Sequence, residues 1–360
     1  MYITSQSEQK NLDMKIDIAH EVRAGEALDW SALAAYLQEQ IPTLEGESLQ
    51  VKQFLGGHAN LTYLLLFGEK EFVLRRPPFG KIAPGAHDMK REYKVLSKLF
   101  KHFAPAPRAF LYCEEDAVIG APFVLMERRT GVVIRYQLQE EFKVHDQVEK
   151  RLTDALINAQ SELHGIDINA AELDTLGKPA GFLDRQLAGW SKRWNLSKTE
   201  DNSNMDEVLE ALQQDIPKPQ AASIIHNDFK FDNCQFQLDN PDLVTSIFDW
   251  DMCTIGDPLL DFGSTLSYWQ DDRFAGVEMP IMMKGRFPDK DYIKSKYAKN
   301  TGFDLSRINW YEAFALWKNA VIVQQLYTRY VNGATKDKRM ANLGEVAKEL
   351  ARVAKMVVTV

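Results

Sequence analysis

The spacing of apolar positions changes period twice along the chain. Between Asp29 and Gln40, Trp30, Leu33, Ala34 and Leu37 fall on one helical face. From Leu49 the pattern turns to short strands: LQVKQFL, NLTYLLLF and KEFVLR, with turns at Gly56-Gly57 and Gly68-Glu69-Lys70. A Pro/Gly-rich stretch, PPFGKIAPGAH, leads into a helical run over Asp88–Phe100, then two more strands over Ala109–Cys113 and Phe123–Met126. After that the helical period dominates. Helices are predicted over Leu152–His164, Phe182–Trp194, Met205–Gln214, Trp310–Tyr330 and Ala341–Val357. A β island interrupts them at Ser223–Ile225, Cys234–Gln237 and Val244–Phe248. This organisation predicts an α+β protein with an N-terminal arm (1–28), a small antiparallel-sheet lobe (29–130) and a larger helical lobe (131–360). A hinge near Glu127–Gly131 would put a cleft between the lobes.

The 360 residues are 45% hydrophobic and 26% charged, the balance of a soluble globular chain rather than a disordered or fibrous one. Its three cysteines cannot build a disulfide framework, and no CxxC pair suggests zinc. The polar N-terminus lacks the apolar core of a secretory signal. The longest apolar stretch, Ala117–Met126, is half of the ~20 residues a membrane helix needs. A cytoplasmic protein without a membrane partner is therefore expected. The net charge of −8 argues against nucleic-acid binding, which needs a basic footprint. The charge is uneven, however. Residues 273–360 hold 16 Lys/Arg against 8 Asp/Glu, which solvated helix faces explain most simply and an anionic partner explains more sharply.

The strongest chemical signal is IIHNDFKFDNCQF followed by SIFDWD. Asp228 and Asn233 are five positions apart, and Asp249 follows sixteen positions after Asn233, at the end of a strand. CQFQL and LVTSIF between them form a hairpin pattern that would bring the three together. Phosphoryl transfer needs such a set: a carboxylate to orient or deprotonate the attacking hydroxyl (Asp228), and hard oxygen ligands for Mg²⁺ (Asn233, Asp249). Lys230 could neutralise charge on the moving group. Asp and Asn also favour plain turns, but the FDWD and GDPLLD segments downstream weigh against that bland reading.

These segments resemble the aminoglycoside phosphotransferase and choline kinase-like superfamily, which shares the bilobal protein-kinase fold. The matching stretches are His226-Asn227-Asp228…Asn233, Phe248-Asp249-Trp250-Asp251 and Gly256-Asp257-Pro258…Asp261. The resemblance implies that Asp228 is the catalytic base and that Asn233 and Asp249 hold Mg²⁺. It casts Asp257 and Asp261 as helix-start and loop-bracing residues. It places Gly56, Gly57 and Asn60 in a loop covering the phosphates of ATP, with the hinge backbone near Glu127 meeting adenine. FVLR stands where the kinase fold has V-A-I-K, so Arg75 takes the lysine position, with Arg76 as the alternative and Glu92 as the partner on the following helix. Ala59 and Asn227 are further departures. GGHANLTYLL, LRRPPFGKIAPGAHDMKREY and RQLAGWSKRW resemble the subgroup related to the kinase-like domain fused to some acyl-CoA dehydrogenases.

The expectation is an ATP- and Mg²⁺-dependent phosphotransferase acting on a small-molecule hydroxyl, with an anionic acceptor of the hydroxyacyl-CoA type favoured over an aminoglycoside. A non-catalytic nucleotide-binding module and an aminoglycoside kinase proper are the alternatives. A protein kinase fits less well, since GDPLLDF follows FDWD directly and no A-P-E segment appears. The histidines lack metal-ligand spacing, and Tyr268-Trp269 fits core packing better than an acceptor pocket.

Overall fold

The computed structural model describes residues 18–54, 60–80, 87–135, 138–274 and 286–359. Chain contacts divide it into two compact units: unit 1 (1–148, 169–173 and 231–253) and unit 2 (149–168, 174–230 and 254–360).

Unit 1 is built on a five-stranded antiparallel sheet. Its strands β1 (Leu49–Gln53), β2 (Leu61–Phe67), β3 (Lys70–Arg76), β4 (Ala109–Cys113) and β5 (Phe123–Glu127) lie in the order β1-β2-β3-β5-β4. The edge strand β1 alternates between exposed and half-buried positions, whereas the inner strand β2 is nearly continuous hydrophobe because both its faces are covered. Leu33 and Leu37 of helix α1 (Trp30–Gln40) join Tyr63, Leu65, Leu74 and Leu125 in the core of this sheet. Asp29 caps α1 by accepting the Ala32 N–H at 2.9 Å. Within the predicted arm, His20 exchanges two backbone hydrogen bonds with Gln53 of β1; residues 1–17 lie outside the described residues, as do Gly56 and Gly57.

Helix α2 (Met89–Leu99), capped by Asp88, buries Met89, Glu92, Val95, Leu96 and Leu99 as one stripe. A short helix α3 (Asp116–Ile119) joins β4 to β5. After the two-residue strand β6 (Val132–Val133) the chain enters unit 2 through helix α4 (Val148–His164). Helices α5 (Phe182–Ser197) and α6 (Ser203–Gln214) follow, then strand β7 (Ser223–Ile225).

The predicted hairpin is present and belongs to unit 1. Strands β8 (Cys234–Phe236) and β9 (Val244–Ile247) pair antiparallel, and β8 also pairs with β6. Gly131, just before β6, is packed so closely that a Cβ would lie 2.5 Å from Thr245 Oγ1 and 2.9 Å from Gln235 Cβ. Back in unit 2, strand β10 (Thr254–Gly256) pairs with β7, and Asp257 caps helix α7 (Pro258–Ser267) through the Leu259 N–H at 2.9 Å. Helix α8 (Lys290–Thr301) precedes the long α9 (Ile308–Val331), whose first half is buried on all sides, and α10 (Leu343–Val358) packs along α9. Helices α7 and α9 touch at Gly263, where a Cβ would come within 2.7 Å of the Tyr311 backbone. Among the described residues no helix is long and apolar enough to cross a membrane, and the three cysteines are free and buried.

Candidate active site

The candidate side chains fall into two groups, one in each unit. In unit 1 the register of β3 decides which arginine faces α2. Neighbouring strand residues point to opposite faces, so Arg75 and Arg76 part company. Arg76 donates to the Pro77 and Ile119 carbonyls and stacks on Phe79 at 4.4 Å. Arg75 turns to the other face, where its Nη1 donates to Glu92 Oε1 at 2.6 Å and its Nη2 pairs with Asp249 Oδ1. With the Asn60 amide oriented oxygen-inward, Asn60 accepts from Arg75 Nε at 3.1 Å and donates to His87 Nδ1 at 2.9 Å. Arg75, and not Arg76, is therefore the arginine that meets Glu92 and Asp249.

Electrostatics explain why an arginine is tolerated there. Burial works against the Arg75 charge, but Asp249, Glu92 and Asp251 more than compensate and raise its pKa above the ordinary value. Burial likewise pushes the Glu92 carboxyl up, with Arg75 pulling against it. The Asp251 carboxyl is also pushed up, by burial first and then by the Asp249 carboxylate. One guanidinium thus serves a crowd of acids, using its fork to reach two at once.

These residues line a cleft that encloses about 970 Å³ of space, mouth included. Phe54, Val73 and Met126 form apolar wall, while Arg75, Asn233 and Asp249 supply polar groups. Every lining residue belongs to unit 1, since the hairpin of β8 and β9 is part of that unit. Asn233 and Asp249 sit at the ends of these two strands, joined by the Phe248 N–H donating to the Asn233 carbonyl at 2.8 Å. Asp249 adopts a left-handed backbone, φ +68°. Glu127 lines the cleft too; its carboxylate accepts the Arg108 N–H at 3.0 Å, and its own N–H donates to the Arg108 carbonyl at 2.8 Å.

Among the described residues no group of three His, Cys, Asp or Glu could hold a metal ion alone. One carboxylate and one amide oxygen fit Mg²⁺, which dehydrates reluctantly and is usually shared between one or two protein carboxylates and substrate phosphates. The donor set suits a magnesium–nucleotide complex rather than a protein-only cage.

In unit 2, Asp228 projects from a loop after β7. Tyr268 Oη donates to its Oδ1 at 2.8 Å, and Lys230 Nζ lies 2.9 Å from its Oδ2 and 4.8 Å from the Tyr268 ring. Burial alone would raise the Asp228 pKa; the Lys230 charge and hydrogen bond, with those of Tyr268 and His226, outweigh it and leave the pKa at about 2. The loop is braced from below by Asp261, which accepts the His226 N–H at 3.0 Å, the Asn227 N–H at 2.5 Å and a His164 Nε2 contact at 3.0 Å. Asn227 adopts φ +69°, which explains an Asn immediately before Asp228: Asn, like Gly, tolerates the left-handed region better than other side chains.

The sequence-predicted residues thus fall into two sets. Asn60, Arg75, Glu92, Glu127, Asn233 and Asp249 are gathered in unit 1, and Asp228 and Lys230 pair in unit 2. Gly56 and Gly57 cannot be placed, lying outside the described residues. Tyr268 and Trp269 are buried, as core packing requires, and the Tyr268 hydroxyl in addition donates to Asp228 Oδ1. Arg128, Arg129 and Arg135 of the cleft were not anticipated, although the ERR run at the end of β5 was a visible signal for the first two.

Comparison with known proteins gives concordant findings. Residues 50–280 match the model of the phosphotransferase enzyme family. Acyl-CoA dehydrogenase family member 10 of Mus musculus is 27% identical over 348 residues, covering 95% of this chain but only 32% of that protein. The chain spans less than half the length of the curated relatives it matches. A candidate aminoglycoside phosphotransferase of Ralstonia eutropha superposes with a TM-score of 0.76 at 28% identity, over 92% of this chain and 99% of that one. Aminoglycoside phosphotransferase APH(4)-Ia, solved with ADP and hygromycin B, shares the fold at a TM-score of 0.58 and 15% identity, over 91% and 98% of the two chains. The α+β kinase-like fold implied by the motifs is the fold observed.

Proposed function

Because the chain belongs to the phosphotransferase enzyme family, we propose that it transfers the γ-phosphoryl group of ATP to a hydroxyl of a small molecule. The observation that carries this reading is the Arg75 guanidinium, buried at the wall of the cleft and shared between Glu92 and Asp249. Arg75 offers its positive charge to the phosphate oxygens, and Phe54, Val73 and Met126 take the base. Asn233 and Asp249 would hold Mg²⁺, which when bound neutralises charge on the nucleotide phosphates.

Asp228 orients the acceptor hydroxyl and receives its proton late. A carboxylate with a pKa of about 2 is a weak base. That suits a loose transition state, in which little proton transfer precedes bond cleavage and positioning supplies most of the rate. Lys230 holds Asp228 Oδ2 and offers its charge to the transferring group; Tyr268 holds Oδ1. The acceptor is an anionic alcohol of the hydroxyacyl-CoA type. The curated relatives named as acyl-CoA dehydrogenase family members support this class, as does the basic balance of residues 273–360.

The test is Mg²⁺-dependent transfer from ATP into pooled hydroxyacyl-CoA esters, aminoglycosides, choline and sugars, read by mass spectrometry beside Asp228→Asn. A phosphorylated acyl-CoA product made only by the unmodified chain is expected. Product only on aminoglycosides would overturn the acceptor class, and absent nucleotide binding would overturn the whole reading.

A further inference from the structure

Lys318 is the buried cation that the proposed chemistry leaves unused. It sits in the middle of α9, 5% exposed, among residues buried on every side. Among the described residues its ammonium makes one hydrogen bond, donating to the Asn227 carbonyl at 3.3 Å, and it lies 5.9 Å from the Trp190 ring centroid. It forms no ion pair with the described residues. Such an ammonium is costly to desolvate, and one long hydrogen bond is poor compensation. A methionine or leucine would serve the packing of α9 better, so stability gives no reason for a lysine here. Its contact does. Asn227 is the left-handed residue immediately before Asp228, and its N–H is already held by Asp261 Oδ1 at 2.5 Å.

We propose that Lys318 is a positioning residue for Asp228: with Asp261 it grips both sides of Asn227 and holds the turn from which the Asp228 carboxylate projects. The inference rests on reading Asp228 as the group that orients the acceptor. A left-handed non-glycine residue persists only where its surroundings over-determine it. Asp261 holds the N–H side, and Lys318 holds the carbonyl side. The charged groups that face Lys318 are Asp228, Asp261, Lys230 and Arg193. Burial pushes its pKa down first, while the two carboxylates favour the protonated form that the hydrogen bond requires.

The experiment uses the full chain with Lys318→Met, Lys318→Gln and Lys318→Arg. It measures nucleotide affinity, kcat and KM, thermal stability, and amide hydrogen exchange at residues 226–228. The expected result for Lys318→Met is a kcat loss of roughly 10²-fold, the scale of a misplaced catalytic group, with nucleotide affinity unchanged and exchange at those amides accelerated. Lys318→Arg should recover most of both readouts, and Lys318→Gln, which keeps a donor without the charge, should fall between. Unchanged kcat and exchange in Lys318→Met would overturn the proposal. So would equal losses in all three variants that track thermal stability, which would make Lys318 a packing element. If the unmodified chain transfers no phosphoryl group to any acceptor, the functional reading fails, and the exchange comparison still decides whether the clamp exists.

Discussion

The Arg75 guanidinium and the Glu92 carboxylate meet at 2.6 Å, with the Glu92 side chain 1% exposed and that of Arg75 10%. Strand β3 and helix α2 are thereby joined by a charge pair in a region otherwise filled with Val95, Leu96 and Leu99. Because Arg75 also pairs with Asp249, the same guanidinium couples the sheet, the helix and the hairpin that ends at the metal-binding candidates. The planar fork suits an arginine to this, since its donors point in fixed, separate directions.

Removing one member of that pair should cost far more than removing both. Arg75→Met strands the buried Glu92 carboxyl and is expected to destabilise the protein by about 3–5 kcal/mol. Arg75→Met with Glu92→Leu should recover much of that loss while nucleotide binding stays impaired. Chemical denaturation of the two single variants and the double variant measures the coupling; additive losses would refute it.

Asp228→Asn should lower kcat by roughly 10²–10⁴-fold if general-base or orienting chemistry is its role, with nucleotide affinity intact. Single-turnover kinetics and a nucleotide titration check this. The Asp228 pKa is depressed, so its carboxylate contributes stability that is fully present above its unfolded value of 3.8 and is lost as pH falls toward about 2. The group stays ionised across the neutral range, and no acid limb of kcat near pH 6 should arise from it.

That picture makes Lys230→Met informative in a second way. Without the Lys230 charge and hydrogen bond, burial dominates and the Asp228 pKa rises. An acid limb should then enter the accessible pH range, and kcat should drop as well. Tyr268→Phe removes the 2.8 Å hydrogen bond to Asp228 and should cost about 1 kcal/mol, roughly fivefold in kcat. A pH–rate profile of each variant reads both effects.

Asp261→Asn tests the brace under the loop. An amide has one oxygen where the carboxylate has two, so it cannot serve the His226 and Asn227 N–H groups and the His164 ring together. A loss of about 1–3 kcal/mol from an unsatisfied buried donor is expected, visible as a lower denaturation midpoint. Faster amide exchange at 226–227 should accompany it.

Local pattern carried much of this protein. The strands of the first sheet, the capped helices at Asp29 and Asp88, and the hairpin of β8 and β9 follow from period and turn residues, which act over a few positions. The roles of Asp228, Asn233 and Asp249 were suggested by spacing and resemblance alone. Glu92 was legible only through the resemblance, as the partner of Arg75 on the following helix; its burial in the apolar stripe of α2 came from the structure. Strands β6 and β10 escaped notice because each has only two or three residues and is held by a partner distant in the chain.

What the chain's order determined by itself is which residue types stand at which local positions: the acids, the amide, the pair of arginines at the end of β3. Only the tertiary structure decided their partners. Strand register chose Arg75 over Arg76, the return of 231–253 to unit 1 gave Arg75 its second carboxylate, and the burial of α9 brought Lys318 to the Asn227 carbonyl. Each is a contact across many positions of chain, set by packing and desolvation, and no short-range pattern encodes those.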